Sequence, residues 1–439
     1  MLKIFEIDQA KESILRRDPA AQEDYPQALL DSVAKIFGEG VGPAEAVTRI
    51  LKSVREEGDL AIQRWTETLD KVRLDDVCIP ENALVEAYEG LPKALAAAMR
   101  LSAERIRDFH ERQPKASWTT EEMGGKLGQR VAAIERAGVY VPGGSAPLPS
   151  SLLMSVIPAQ VAGVSEIVIC TPPQPHATIL AAAYICGLKQ VYTIGGAQAI
   201  AAMAYGTESV PRVDKIVGAG NLFVTLAKQQ VFGVVGIEGL AGPTETMIIA
   251  DETADPEWVA ADMLAQAEHD PLASAILLTT DRNLAEAVQA AVAGQLETLS
   301  RAEIITASLE NNGGIVITPD LNSAADLAND YAAEHLCLCV ADVEDLASKI
   351  RNAGGIFMGE RSFEVLGDYV AGPSHIMPTG GTARFASPLN VWDFVKITSL
   401  IALDEETSEA LSAMAAEIAQ IETLTAHAAA AEKRMKGDK

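Results

Sequence analysis

At 439 residues the chain can hold two or three domains with real cores, and its 48% hydrophobic content suits a globular protein. A formal net charge of −26 and a pI near 4.6 describe a surface that repels nucleic acid and anionic membranes, so neither is expected as a partner. No apolar run approaches the roughly 20 residues that cross a bilayer, and "MLKIFEIDQAKESILRRDPAAQEDYP" at the start lacks a signal-peptide core, so a cytoplasmic protein is expected.

The segment to about residue 28 reads as a short helical arm. "GPAEAVTRILKSVREEGDLAIQRWTETLD" (42–70) has helical periodicity behind a Gly-Pro start. A second helical stretch spans 81–113, with Gly90-Leu91-Pro92 as its break. "RVAAIERAGVYV" (130–141) is strand-like. From about Tyr140 strand and helix alternate, with glycine at the turns: "EIVICT", "VYTIGG" and "KIVGAG" are strands, each followed by a helix. The alternation resumes with "TMIIAD", "AILLTT", "GIVITP", "HLCLCV" and "GIFMG". This is the pattern of βαβ units on parallel sheets, and it predicts two α/β domains, each with its own parallel-type sheet. After "ASPLNVWDFVK" (386–396) comes an Ala-rich helical tail suited to packing on a second subunit.

Five cysteines (Cys78, Cys170, Cys186, Cys337, Cys339) are an odd number with no CxxC, which argues against a disulfide framework. Cys337 and Cys339 alternate with Leu338 and Val340 and read as buried packing residues, with zinc–thiolate binding the lesser alternative. The glycine turns "YVPGGSAPLP", "TIGGAQAIA" and "IVGAGNLFV" let backbone N–H groups approach a phosphate or sugar. None fits GxGxxG, and "EIVICTPP" does not end in an acidic residue, so the dinucleotide fingerprint is absent.

Four of the six histidines (His269, His335, His375, His427) fall in polar, loop-edged settings in the second half. In "ADMLAQAEHDP", Asp262, Gln266 and His269 share one helix face, either a solvated face or half of a metal site. "EVLGDYVAGPSHIMPTGGTARF" (364–385) has too much Gly and Pro for a helix or central strand, yet carries Asp368, His375 and Arg384. A long loop with three ionisable groups is where a site is expected, though a plain surface loop is equally open. Glu422 and His427 in "IETLTAH" do not share a helix face and matter only if the tail enters a cleft. Glu334 and His335 would point to opposite faces of a strand; they can serve one substrate only from the loop before it. There they offer two bases suited to two proton transfers.

Together these stretches resemble the histidinol dehydrogenase family, from about residue 30 to the end. The resemblance is carried by "GVYVPGGSAPLPSSLLM", "GGAQAIAAMAYGTESVPRVDKIVGAGN", "GLAGPTE", "QAEHDP", "EHL", "GDYVAGPSH" and "LTAH". It implies a zinc-dependent homodimer that oxidises L-histidinol to L-histidine, the last step of histidine biosynthesis, with two NAD reduced in succession. Gln266, His269, Asp368 and, from the partner's tail, His427 correspond to zinc ligands. Glu334 and His335 correspond to the catalytic pair. Thr244, His375 and Glu422 fall, with those ligands, where the family contacts substrate, and Tyr140, Gln198 and Asn221 match its NAD positions. It further implies an α/β fold of two Rossmann-like, incomplete parallel-sheet domains with small helical terminal segments: an arm (1–28), a discontinuous α/β domain with the metal and catalytic residues (29–139 and 244–388), an incomplete Rossmann-like NAD-binding domain (140–243) and a helical tail on the partner subunit (389–439). Thr244 stands where Ser is common, Ala219 and Ala333 where Pro is usual, and Ser374 where Asn is common; none removes a ligand or base. These departures keep open a paralogous zinc and NAD dehydrogenase for another small polar alcohol. A zinc hydrolase using Glu334 as base, and a non-catalytic binding protein, are the alternatives of other classes.

Overall fold

The computed structural model describes residues 2–17, 25–74, 76–143 and 147–435. Parts of the expected arm (18–24) and of the "PGGSAPLP" turn (144–146) lie outside the described residues. The chain divides into two compact units, Met1–Arg112 with Glu135–Phe394, and Gln113–Ile134 with Val395–Lys439.

The large unit is built on two six-stranded sheets, as the alternating pattern requires. The first has the order Ile4–Glu6, Gly314–Ile317, Ser274–Thr279, Glu245–Ala250, His335–Cys339, Gly355–Met358, every neighbouring pair parallel. Helices cover both faces, so the inner strands are wholly buried and mostly apolar, with polar residues at their ends. The second sheet has the order Cys78–Pro80, Gln190–Tyr192, Glu166–Cys170, Arg136–Tyr140, Lys215–Val217, Gly236–Ile237, parallel except for its first pair. Its helices include Pro149–Ala162, Gly196–Tyr205 and Leu222–Val231, the last capped by the Asn221 side chain, which accepts from Val224 N–H at 3.2 Å. No helix among the described residues is long and apolar enough to cross a membrane.

The small unit joins an antiparallel sheet, Val395–Ala402 against Lys126–Ala133 against Trp118–Thr120, to the helices Glu405–Ile421 and Thr425–Glu432. The expected single tail helix breaks at Thr423, which adopts a left-handed φ of 60°. The strand Val395–Ala402 has no counterpart in the sequence reading; its alternation was too weak to separate from the loop before it. Two other expectations shift. The arm opens with a strand, because Ile4 and Phe5 pair with Ile315 and Val316 at the sheet edge. The strand-like 130–141 divides at Ile134–Glu135, where Asp214 Oδ2 accepts from Glu135 N–H at 3.0 Å and Arg136 N–H at 2.9 Å and redirects the chain into the second sheet.

Candidate active site

Two neighbouring inner strands of the first sheet, Glu245–Ala250 and His335–Cys339, run parallel with Thr246 beside His335. Thr244 and Glu334, each just ahead of its strand, meet at the amino ends of the pair. Ala332, in the left-handed region at φ 54°, ends the helix Leu321–Tyr331 and turns the chain so that Glu334 leaves the loop while His335 opens the strand. The condition for a shared role is met: Glu334 Oε2 lies 3.7 Å from His335 Nδ1, and both side chains are buried.

The Thr244 hydroxyl donates to Glu334 Oε2 at 2.6 Å, and Glu245 N–H donates to the same oxygen at 3.1 Å. Burial nevertheless pushes the Glu334 carboxyl up to about 7, against the opposing pull of His335, the Thr244 hydroxyl and the Glu245 N–H. His335 Nδ1 lies 3.2 Å from the Glu245 carbonyl oxygen, which can only accept, so the neutral ring carries its proton on Nδ1. That leaves Nε2 with a free lone pair. This atom is buried without a hydrogen-bond partner, 3.9 Å from Asp368 Oδ1.

Gln266 is fully buried near the end of the helix Pro256–Ala267, which begins with the Asp255 cap and Pro256 at its first turn. With its nitrogen turned inward the amide donates to Thr246 Oγ1 at 3.1 Å and to Glu364. Its oxygen then accepts from Glu245 N–H at 2.9 Å and sits 2.6 Å from the Thr244 hydroxyl. His269 lies beyond the helix end and is exposed, while Asp262, one turn before Gln266 on the helix, feels the charge of Glu360 and acts on Glu364. The expected shared face thus holds for Asp262 and Gln266 but not for His269. Asp368 does not lie in a loop: Glu364–Tyr369 is a short helix, so Glu364 and Asp368, four apart, present carboxyls one turn apart. Glu364 is the site residue that sequence reasoning missed. Its spacing to Asp368 was the available signal, obscured by the Gly and Pro that follow. It is fully buried, accepts from the Thr246 hydroxyl, and lies 3.9 Å from His335 Nδ1; burial raises its carboxyl well above the ordinary range.

His375 Nδ1 donates to the Asp368 carbonyl at 2.9 Å, and its Nε2 accepts from the Ser151 hydroxyl at 3.3 Å. Burial holds this imidazole below its usual range; Asp368 opposes that, and His335 and His269 reinforce it. Ser151 belongs to the first turn of Pro149–Ala162, so His375 links the segment after the helix Glu364–Tyr369 to a helix of the second sheet. In that sheet Arg136–Tyr140 lies between Glu166–Cys170 and Lys215–Val217, a topological switch point of the kind that opens a ligand crevice at the carboxyl ends of strands. Tyr140 ends the central strand, and its hydroxyl accepts from Gly196 N–H at 3.1 Å. Gln198 is fully buried and donates to Asp70 Oδ2 at 3.2 Å, and Asn221 caps the helix after the Gly218–Gly220 turn.

Glu422 and His427 belong to the small unit, where Glu422 closes one helix and His427 stands exposed in the first turns of the next. Cys337 and Cys339 are buried free thiols in the core, with burial pushing the first far up and the second to about 12, so neither is a thiolate. Among the described residues no three His, Cys, Asp or Glu side chains close on one point as a self-contained metal centre. The donor chemistry of Gln266, His269 and Asp368 still suits a divalent cation: an amide oxygen, an imidazole and a carboxylate. The Asp368 carboxylate keeps only the long approaches of His335 at 3.9 Å and His375 at 4.0 Å among the described residues, and so has capacity for a cation.

The family model described as histidinol dehydrogenase matches residues 41–435. The chain belongs to the histidinol dehydrogenase family. It is 50% identical over 422 residues to the histidinol dehydrogenase of Deinococcus radiodurans, covering 95% of this chain and 96% of that one. It is 51% identical to that of Thermus thermophilus, covering 88% and 92%. The crystal structure of histidinol dehydrogenase from Elizabethkingia anophelis superposes with a TM-score of 0.89 at 33% identity, covering 99% of this chain and 98% of that one. The likeness therefore extends over both units, and the two-sheet α/β fold read from the sequence is that of the family.

Proposed function

We propose that this protein oxidises L-histidinol to L-histidine with two NAD, in the cytoplasm, as a zinc-dependent homodimer whose tail completes the partner's site. The reading rests on family membership and, within the site, on one observation: His335 Nε2 is a buried, unpartnered acceptor flanked by carboxylates. On this reading residues 140–243 bind NAD, residues 29–139 and 244–388 carry the chemistry, and residues 1–28 and 389–439 form the arm and the tail.

His335 Nε2 takes the hydroxyl proton of the alcohol as hydride leaves the same carbon for the first nicotinamide, giving the aldehyde. The imidazolium so formed has Glu334 and Glu364 within 3.9 Å of Nδ1 and Asp368 3.9 Å from Nε2. Glu334, poised near neutrality, then removes a proton from water as it adds to the aldehyde carbon. The imidazolium returns its proton to the aldehyde oxygen, completing the hydrate; a second hydride then leaves for a second nicotinamide as one hydroxyl proton passes to His335, giving the carboxylic acid. Burial of both bases keeps the aldehyde from bulk water between the steps. Gln266, His269, Asp368 and the tail residue His427 would hold zinc, which when bound supplies a Lewis-acidic anchor for the amine and imidazole of the substrate. Tyr140, Gln198 and Asn221 would line the NAD crevice, with Thr244, His375 and Glu422 contacting substrate.

The test is stoichiometric. Metal-loaded protein given histidinol and NAD is expected to form two NADH for each histidine. One NADH per product, or histidinol left unoxidised while another polar alcohol reacts, overturns the reading.

A further inference from the structure

The Gln266 amide has two orientations, and its neighbours distinguish them. With the oxygen inward, Nε2 would face the Glu245 N–H 2.9 Å away, donor against donor, and the amide would keep only a 2.6 Å contact from Nε2 to the Thr244 hydroxyl. With the nitrogen inward, Nε2 donates to Glu364 and to Thr246 Oγ1, and Oε1 meets the Glu245 N–H and the Thr244 hydroxyl. Burial makes the choice a strong one, since a donor facing a backbone N–H has no water to relieve it.

We propose that Glu364 is a positioning residue that binds the nitrogen of the Gln266 amide and so keeps its oxygen, the only metal-binding atom it has, on the side of Thr244 and Glu334. This rests on the zinc reading above. Glu364 itself need not touch metal or substrate. Its position is held in turn by the Thr246 hydroxyl, two residues from Thr244 on the strand that carries the site. Groups that orient a ligand in this way usually change metal affinity by ten- to a hundredfold when removed.

The experiment measures zinc affinity of the metal-stripped full-length protein by competition with a chromogenic chelator, without substrate. Glu364→Leu is expected to weaken zinc at least tenfold, and Glu364→Gln, which keeps an acceptor, to weaken it much less. The decisive comparison repeats Glu364→Leu in a Gln266→Glu background. A carboxylate has two equivalent oxygens and needs no orienting, so there the same change should not weaken zinc. Equal losses in both backgrounds, or no loss in either, overturn the proposal. Thermal unfolding of each variant identifies any that fails to fold. Thr246→Val, which removes the other acceptor of Nε2, then serves in place of Glu364→Leu, with a loss expected only when Gln266 is present. Wild-type protein that binds no zinc overturns the zinc reading, and this inference with it.

Discussion

The Thr244 hydroxyl oxygen lies 2.6 Å from Glu334 and 2.6 Å from Gln266, and one hydroxyl has one proton to share between them. Given to Glu334, that proton favours the carboxylate and restrains the upward push of burial that leaves the group near 7. Thr244→Val removes the donor, so the carboxyl should rise further, by about one unit for a hydrogen bond to a charged group. The rate of histidine formation from added aldehyde, which needs the ionised base, should then move its acid limb to higher pH. Thr244→Ser should restore it. An unchanged acid limb in Thr244→Val would separate Thr244 from the control of Glu334.

The same carboxyl links stability to pH. Its value in the folded protein, about 7, lies above the ordinary 4.5, so the folded state holds the proton more tightly than the unfolded chain. The stability it contributes is fully present below the ordinary value and is lost as pH rises through about 7. Glu334→Gln removes the titrating group. Its melting temperature should therefore fall less between about pH 5 and pH 8 than that of the wild type. In activity assays Glu334→Gln should still form aldehyde from the alcohol but slow aldehyde oxidation by roughly 10²–10⁴-fold.

The site is reached from the chain's beginning through Arg17. Its guanidinium stacks 3.6 Å over the Tyr331 ring and pairs with both carboxylate oxygens of Glu245. Glu245 in turn holds Glu334 through its N–H and His335 through its carbonyl, and Gly380 N–H donates to its side chain at 3.2 Å. Arg17→Ala leaves a buried carboxylate without its cation. The expected cost is somewhat below the ~3–5 kcal/mol of a fully buried pair, because Arg17 is partly exposed. Chemical denaturation measures it. Turnover should fall with it, and Arg17→Lys should recover only part, since an ammonium cannot reproduce the two-pronged pair.

How much of this was legible in the sequence depended on whether a signal was local. The inner strands of both sheets were readable because buried parallel strands are short apolar runs between glycine turns, whereas the edge strands Ile4–Glu6, Cys78–Pro80 and Gly236–Ile237 are too short to leave such a run. Glu334 and His335 were readable as a pair, since a charged dipeptide ahead of an apolar run is conspicuous. Glu364 and Arg17 were not, because their roles come from residues far along the chain: Gln266 and His335 for one, Glu245 for the other. Sequence placed the Glu334–His335 pair ahead of its strand, at the amino end, but could not show what closes the opposite ends. At the carboxyl ends of the same two strands Asp251 accepts from Ala341 N–H at 2.8 Å and from Thr253 N–H at 3.0 Å, tying the diverging chains together where a crevice would otherwise open.

Asn221 combines two roles that substitution can separate. Its side chain caps the helix Leu222–Val231, and its place after the glycine turn puts it among the residues proposed to meet NAD. Asn221→Ala should cost about 1 kcal/mol of stability through the lost cap and also raise the KM for NAD. Asn221→Asp keeps the cap, so stability should be near that of the wild type, while a new negative charge beside a phosphate-bearing ligand should still raise that KM. Loss of stability in both variants, with KM unchanged, would make Asn221 a cap and nothing more.

The tail offers the test of subunit sharing. On the helix Glu405–Ile421, Leu411, Met414, Ile418 and Ile421 are exposed at spacings that place them along one side, with Ile421 85% exposed. An apolar stripe of this kind is what a second copy of the chain would cover. If His427 serves the partner's site, inactive His427→Ala and inactive His269→Ala proteins should regain activity when unfolded together and refolded as a mixture. A mixed dimer then contains one site with both histidines intact and one with neither. Each variant refolded alone should stay inactive. Were His427 to serve its own chain's site, every site in the mixed dimer would lack one histidine, and mixing would restore nothing.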